Sequence, residues 1–463
     1  MNFSIEQSEI TKLTKDLEKF STLVDLYSDG RSSEGLLLAE IERFESIDWT
    51  SENMFNQLFA YSALAAAFCA LKSKKLDYSK AYYTNEYVYK EISYYHNVQR
   101  IANRVSKEQW AALYFTAFRT YCRAYLCLAN AYDHVGRFCE AQQFYSLAAL
   151  DERNIIDVEI NRGYSYANMH AFWEHEEPWI VRRAQFLLSK HAKYIDEKFP
   201  GLREMVCGWE APSFDAPLAV FDTMEEGKYE KWVNINFLRV NRYCDVDVKS
   251  KLSVQDNVRI IQIFDTPEKS ELYESMYDEI LRSFICTRKK LFDVLYQQDE
   301  CDTEQLKMIY KNFYSILDKL AMFLSVYLDL GIEAHKVDFA SIWTDKSKKN
   351  IHPKILAHES NISLLALYNV KQDIYGSSLI DYVIDEQTKD LKRIRNFIEH
   401  KFVKIQDGEI SYNDYQLTIS KEELTLNTIK LAQLVRCAII YLCNFVMHAE
   451  YDKLSLRSGH LPE

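Results

Sequence analysis

The chain has 463 residues but only 11 glycines and 7 prolines, where ordinary usage would give roughly 32 and 23. So few turn residues exclude β-sandwiches, propellers and doubly wound α/β folds, and an apolar share of 48% excludes disorder, which leaves an all-α fold. Lys and Arg number 56 against 68 Asp and Glu, a net charge of −12, so any site for a polyanion has to be a local basic island.

The N-terminal text, MNFSIEQSEITK, has no basic region followed by an apolar run and does not read as a secretory signal. The ten cysteines include no C-x-x-C and sit mostly among apolar neighbours, which points to reduced core residues and a cytoplasmic protein. Residues 29–41 and 76–91 read as second helices of degenerate helix pairs. The tyrosines of the latter region, Tyr78, Tyr82, Tyr83, Tyr87, Tyr89, Tyr94 and Tyr95, have few Lys or Arg among them, so they read as helix packing rather than a base-stacking platform.

Residues 122–155 place Tyr125, Leu128, Ala129, Tyr132, Gly136, Ala141, Tyr145 and Ala148 at the spacing of a tetratricopeptide unit. Small residues at Ala129 and Ala141 let two antiparallel helices approach, and the aromatics fill the space toward a neighbour. Gly163 and Tyr166 recur 34 residues after Ala129 and Tyr132, as a second unit would require. Six of the eighteen Gly and Pro fall between Pro200 and Gly227, and residues 1–177 hold no proline, so the boundary lies there. The expected domains are a tetratricopeptide-like region over 1–200, a connector with short extended segments over 201–267 and a helical bundle over 268–455.

Within the connector, residues 229–264 alternate in part and predict short strands or an extended run. Two apolar stripes follow. One runs from Leu272 through Met276, Ile280, Phe284 and Leu291 to Leu295; the other runs from Leu306 to Tyr327, with Gly331 as its left-handed cap. Helices are predicted over 362–375 and about 379–401, then a hairpin turning at Asp407-Gly408. Ser420 and Glu423 form a capping box for a last, apolar helix. Residues 431–447 of that helix carry Gln433, Arg436 and Asn444, which argues for a buried bundle helix and against a membrane span.

From Lys389 to Lys404 there are six Lys or Arg against two acids, a basic island on an acidic chain. Lys392, Arg393 and Lys404 there are candidate RNA-phosphate contacts. Arg395 and His400 are a sufficient pair for metal-free phosphoryl transfer. The imidazole moves a proton near neutral pH, and the guanidinium holds phosphate oxygens. On one helix they stand about 140° apart and about 7.5 Å along the axis, so they do not converge on one phosphate unless a second copy completes the site. Asn396, four residues before His400, shares its face and is the expected orienter, with Glu399 and Lys401 as auxiliaries. The plain alternative is an ordinary i, i+4 pair, Arg395 with Glu399, on a surface helix. His170 with His175 and His352 with His358 lack a third ligand at metal spacing.

Arg395-Asn396 followed by His400, late in a helical bundle and before an apolar last helix, resembles the HEPN superfamily and its R-x(4 to 6)-H motif. The order of residues 232–241, bundle and terminal helix is similar to the HEPN subgroup fused behind a tetratricopeptide-like region. That subgroup carries a proline-containing stretch where this chain has Val240-Asn241-Arg242-Tyr243-Cys244-Asp245. The resemblance implies an all-α protein with a HEPN-like bundle and a small hairpin. It implies a cofactor-free, metal-independent endoribonuclease acting as a homodimer, a toxin or effector of bacterial stress or antiphage defence. RNA would be the substrate and a protein or phage-derived trigger would act at the repeat region. The other reading is a non-catalytic helical interaction protein that dimerises through the bundle.

Overall fold

A computed structural model describes residues 7–75, 83, 85–104, 107–172, 178–198, 201–208, 227–241, 255–297, 301–347, 350–376, 386–408 and 410–458. The chain divides into two compact units, one drawn from residues 1–79, 84–168 and 179–210, the other from 80–83, 169–178 and 211–463. Their elements are almost entirely helical, as the scarcity of Gly and Pro requires.

The first unit holds α1 (Gln7–Ser28), α2 (Glu34–Glu45), α3 (Met54–Lys75), α4 (Glu86–Arg104), α5 (Lys107–His134), α6 (Phe138–Ala148), most of α7 (Ile155–Phe172) and of α8 (Pro178–Lys190), α9 (Ala192–Lys198) and α10 (Leu202–Cys207). The pair α5 and α6 contains the repeat-like text, and Tyr125, Leu128, Ala129, Tyr132, Ala141, Tyr145 and Ala148 are all buried. Gly136 turns the chain between them at φ 77°. Its N–H donates to Asp133 and that of Arg137 to Tyr132, so the last carbonyls of α5 are satisfied. Of the tyrosine run, Tyr78 and Tyr82 lie outside the described residues. Tyr89 and Tyr95 are buried, and Tyr94 stacks on Tyr61 and Phe68 at 5.9 and 5.8 Å, as helix packing predicts.

The second unit holds α11 (Lys228–Ile235), α12 (Pro267–Gln297), α13 (Asp302–Tyr327), α14 (Pro353–Leu356), α15 (Ile362–Tyr375), α16 (Glu386–His400) and α17 (Lys421–Ser458). It also holds a small sheet of β1 (Phe402–Ile405), β2 (Ser411–Tyr412) and β3 (Gln416–Ile419). Helices α3 and α17 are long and apolar enough to cross a membrane, and 83% of that stretch of α17 is buried. The polar residues of α17 hold the chain of α11 and its exit. Gln433 donates to the Asn236 carbonyl at 3.0 Å, and Arg436 donates to those of Arg239 and Asn241, both at 2.6 Å. Arg288 of α12 adds a bond to the Leu238 carbonyl and a buried ion pair with Asp256, each at 2.7 Å.

Four expectations are corrected. Residues 228–235 are helical, not extended. Trp232 and Val233 bury one side of that turn, and the helix stops because Phe237 takes φ 53° and Leu238 donates back to Val233. Residues 255–266 form the irregular connector, and α10 also falls in the stretch read as linker. On α12 the buried positions of the first turns are Tyr273 and Tyr277, whereas Leu272 is exposed, because the burial stripe is rotated by one residue. On α13 the C′ residue is Asp329 (φ 48°), with bonds from the Asp329 N–H to Val326 and from the Leu330 N–H to Ser325; Gly331 is left-handed too, at φ 67°, but lies two residues beyond the cap.

The fourth correction concerns the sheet, whose strand order is β1-β3-β2. β1 pairs in parallel with β3, Phe402 opposite Gln416, and the antiparallel partner of β3 is β2. Asp407-Gly408 therefore closes no hairpin. Asp407 lacks the positive φ of a type I′ turn, and the tight turn lies between β2 and β3, where the Asn413 carboxamide accepts from Tyr415 and Gln416. At the start of α17 the Ser420 hydroxyl accepts from the Glu423 N–H at 3.0 Å, one half of the expected box, while the Glu423 carboxylate accepts from Asn427 at 3.0 Å.

Candidate functional site

Helix α16 is amphipathic. Leu391, Ile394 and Phe397 are buried, and the Tyr310 hydroxyl of α13 donates to the Leu391 carbonyl at 2.7 Å, which fixes the helix against α13. That register carries Lys392, Arg395, Asn396, Glu399 and His400 along the flank that borders α13 and solvent.

Arg395 is half-buried. Its Nη2 meets Glu399 Oε2 at 2.8 Å, its Nη1 donates to Asn396 Oδ1 at 3.3 Å, and its guanidinium lies 5.3 Å over the Tyr314 ring. Its Nε is buried without a hydrogen-bond partner. His400 ends the helix, 65% exposed, with Nε2 3.6 Å from the same Glu399 Oε2. Lys311 of α13 approaches the other oxygen, with Nζ 3.8 Å from Oε1. Two cationic side chains and an imidazole, from two helices, thus surround one carboxylate.

This geometry changes one expectation. Arg395 and His400 do point apart on the helix, yet both reach one anion because Glu399 lies between them in sequence and in space. Asn396 is corrected: it accepts from Arg395, and no hydrogen bond joins it to His400. The Arg395–Glu399 pair is the i, i+4 contact of the plain alternative. Partly exposed pairs of this kind contribute about 0.3–0.5 kcal/mol, so the fold does not rest on this contact.

The remaining basic residues separate into paired and unpaired. Arg393 is held by Asp390 at 2.5 Å and covers the Tyr412 ring at 4.2 Å. Lys392 stands 5.7 Å over Tyr375, and Lys401 stands 4.8 Å over Phe397. Lys404 is exposed on β1. None of these three lysines has a carboxylate partner among the described residues. The side chain of Lys389 lies outside the described residues.

Sequence reasoning missed the contribution of the neighbouring helices. Tyr310, Lys311, Tyr314 and Asp318 recur on one side of α13, and only their i, i+4 spacing, polar text inside an apolar stripe, signalled it. Burial raises the carboxyl of Asp318 above its usual range, with the Phe339 N–H and Arg395 opposing the rise. On α15, Lys371 is buried, donating to the Gln372 side chain at 3.0 Å and the Gly376 carbonyl at 2.8 Å. Burial, and then the charge of Lys392, bring its ammonium down to about 8.

Among the described residues no three His, Cys, Asp or Glu side chains gather as a donor set for a metal ion. His352 instead caps α14, its Nδ1 accepting from the Lys354 N–H at 3.2 Å, and His358 packs edge-on against Phe445. His175 lies outside the described residues.

Residues 270–450 match the family model described as LA2681-like HEPN, a stretch that runs from α12 into α17 and includes the whole of α16. No curated protein and no solved structure matches the chain. The C-terminal region is a HEPN domain.

Proposed function

With residues 270–450 a HEPN domain, a class that is generally nuclease, we propose that this chain is a metal-independent endoribonuclease whose site is centred on Arg395 and His400. The observation that carries the reading is the shared anion position: Arg395 and His400 border one carboxylate at 2.8 and 3.6 Å, where a phosphate would be held beside a group able to transfer a proton. Arg395, stacked on Tyr314 and braced by Asn396, clamps the phosphate oxygens and offsets the charge that develops in the transition state.

In the proposed step the RNA 2′-oxygen attacks the adjacent phosphorus while its proton passes to a base. The bond from phosphorus to the 5′-oxygen breaks as that oxygen takes a proton. A 2′,3′-cyclic phosphate and a 5′-hydroxyl remain, and DNA, lacking the 2′-hydroxyl, is spared. His400 serves one of the two proton transfers. A second copy of α16 serves the other in a homodimer, for which the exposure of His400 at the helix end leaves room. Lys392, Lys401 and Lys404 extend the basic surface along the RNA strand. The N-terminal helical unit is proposed as a tetratricopeptide-like partner or trigger surface, in the manner of a defence effector.

The test is cleavage of mixed RNA in EDTA by the full chain and by His400→Ala, with analysis of the product ends for cyclic phosphate. Undiminished cleavage by His400→Ala removes the assignment. A second reading, a non-catalytic interaction protein, is favoured by the plain i, i+4 geometry of Arg395 and Glu399. It requires that no RNA product form even with the trigger present.

A further inference from the structure

Glu399 places a carboxylate among Arg395, Lys311 and His400, and each oxygen of that carboxylate faces a different helix. Oε2 takes Nη2 of Arg395 at 2.8 Å with Nε2 of His400 at 3.6 Å, both from α16, and Oε1 faces Nζ of Lys311 from α13 at 3.8 Å. A carboxylate and a phosphate present the same feature to such a cluster, two or more oxygens sharing negative charge, and Arg binds both in the same forked geometry. We propose that Glu399 is an internal stand-in for phosphate, and that Lys311 is the second cation of the anion site beside Arg395, so that a phosphodiester of RNA enters by displacing the Glu399 carboxylate from Arg395 and Lys311.

Three observations support displacement over a fixed structural pair. Arg395 does not depend on Glu399 for its place, because Tyr314 lies under its guanidinium and Asn396 holds Nη1. Lys311 is 56% exposed and meets no other carboxylate among the described residues, so it can follow an incoming anion. Arg precedes Glu along α16, the less favourable order for an i, i+4 pair along the helix dipole, and so the contact is readily exchanged. Glu399 therefore offsets part of the positive charge of Arg395 and Lys311 when the site is empty, and its departure frees both cations for the substrate phosphate. Lys311 is a binding residue in this scheme, on a helix that the sequence motif does not include.

The inference rests on the ribonuclease reading only for the identity of the final occupant; the anion site itself is tested without any cleavage. Inorganic phosphate is titrated calorimetrically into the full chain at low ionic strength, with wild type, Glu399→Gln, Glu399→Gln with Lys311→Ala, and Glu399→Gln with Arg395→Ala. Thermal melts of each variant report folding. Removing the competing charge is expected to tighten phosphate binding by about tenfold, and removing Lys311 or Arg395 from that background to reverse most of the gain. Equal phosphate affinity in wild type and Glu399→Gln overturns the stand-in role, and a gain that persists without Lys311 overturns its place in the site. If RNA is cleaved while phosphate binding ignores these variants, the anion site fails alone. If binding follows them in a protein that cleaves no RNA, the anion site stands and the ribonuclease reading fails.

Discussion

Arg436, wholly buried on α17, donates from Nη2 to the carbonyl of Asn241 at 2.6 Å, nearly two hundred residues earlier in the chain. Its Nε holds the Arg239 carbonyl at the same distance, so one guanidinium secures the segment leaving α11. Replacement by methionine removes both donors and leaves two carbonyls without that partner, at about 1–3 kcal/mol each. Arg436→Met is expected to lower the urea midpoint of the bundle with little change in the slope. An unaltered midpoint would show that the segment is held by Arg288 and Gln433 alone.

His400→Ala and Arg395→Ala test the chemistry. Loss of a general acid or base costs about 10²- to 10⁴-fold in rate, and loss of a charge-stabilising donor about 10²- to 10³-fold. Both side chains are partly exposed at the end of α16, so both variants should keep the wild-type melting temperature. Cleavage rates on single-stranded RNA, measured beside thermal melts, separate a catalytic loss from unfolding.

Asp133 gives the N-terminal unit a pH dependence. Burial raises its carboxyl to about 6, despite the bonds it accepts from Ser165 and Asn168. An unfolded Asp titrates near 3.9, so between about 4 and 6 the folded protein binds more protons than the unfolded chain. Stability of this unit is expected to rise as pH falls from about 6 to about 4 and to be lost as pH rises through that window. Amide exchange of α5 and α7 at pH 4.5 and 6.5 measures it, and Asp133→Asn should flatten the difference.

Gly163 of α7 has no room for a methyl group. A Cβ there would stand 2.8 Å from Leu188 Cδ2 and 2.9 Å from its Cγ on α8. Gly163→Ala would gain about 1 kcal/mol of helix propensity on an exposed helix. Here the expected outcome is a net loss of about 1 kcal/mol, because overpacking costs about 1–3. Gly163→Ala with Leu188→Ala should recover part of it. A stabilised single variant would mean that Leu188 shifts freely.

The helices and the basic island were legible because each rests on local information. Scarce Gly and Pro leave little besides helix, the Leu306 to Phe323 stripe has a helical period, and Arg395 and His400 declare their chemistry by type. Residues 228–235 misled because Trp, Val and Ile favour strands, while the αL turn at Phe237 and the burial of Trp232 against α12 favour helix. The sheet misled because Asp-Gly is a strong hairpin signal, yet β3 takes the inner place, where Leu417 and Ile419 are buried.

By itself the chain of residues determined that the protein is helical, that its breakers cluster around 200–227, and that one island of cations lies late in a bundle. It also determined which side chains there could move a proton and hold a phosphate. Neighbouring positions on one helix bring Glu399 to Arg395 and His400, and Asn396 to Arg395; only the tertiary structure decided that Lys311 joins them and that Tyr314 lies under Arg395, both from α13. The physical reason is that helix periodicity fixes directions along one element, whereas the meeting of α13 and α16 is set by the burial of Leu391, Ile394 and Phe397 and by the bond from Tyr310, contacts spanning more than eighty positions of chain.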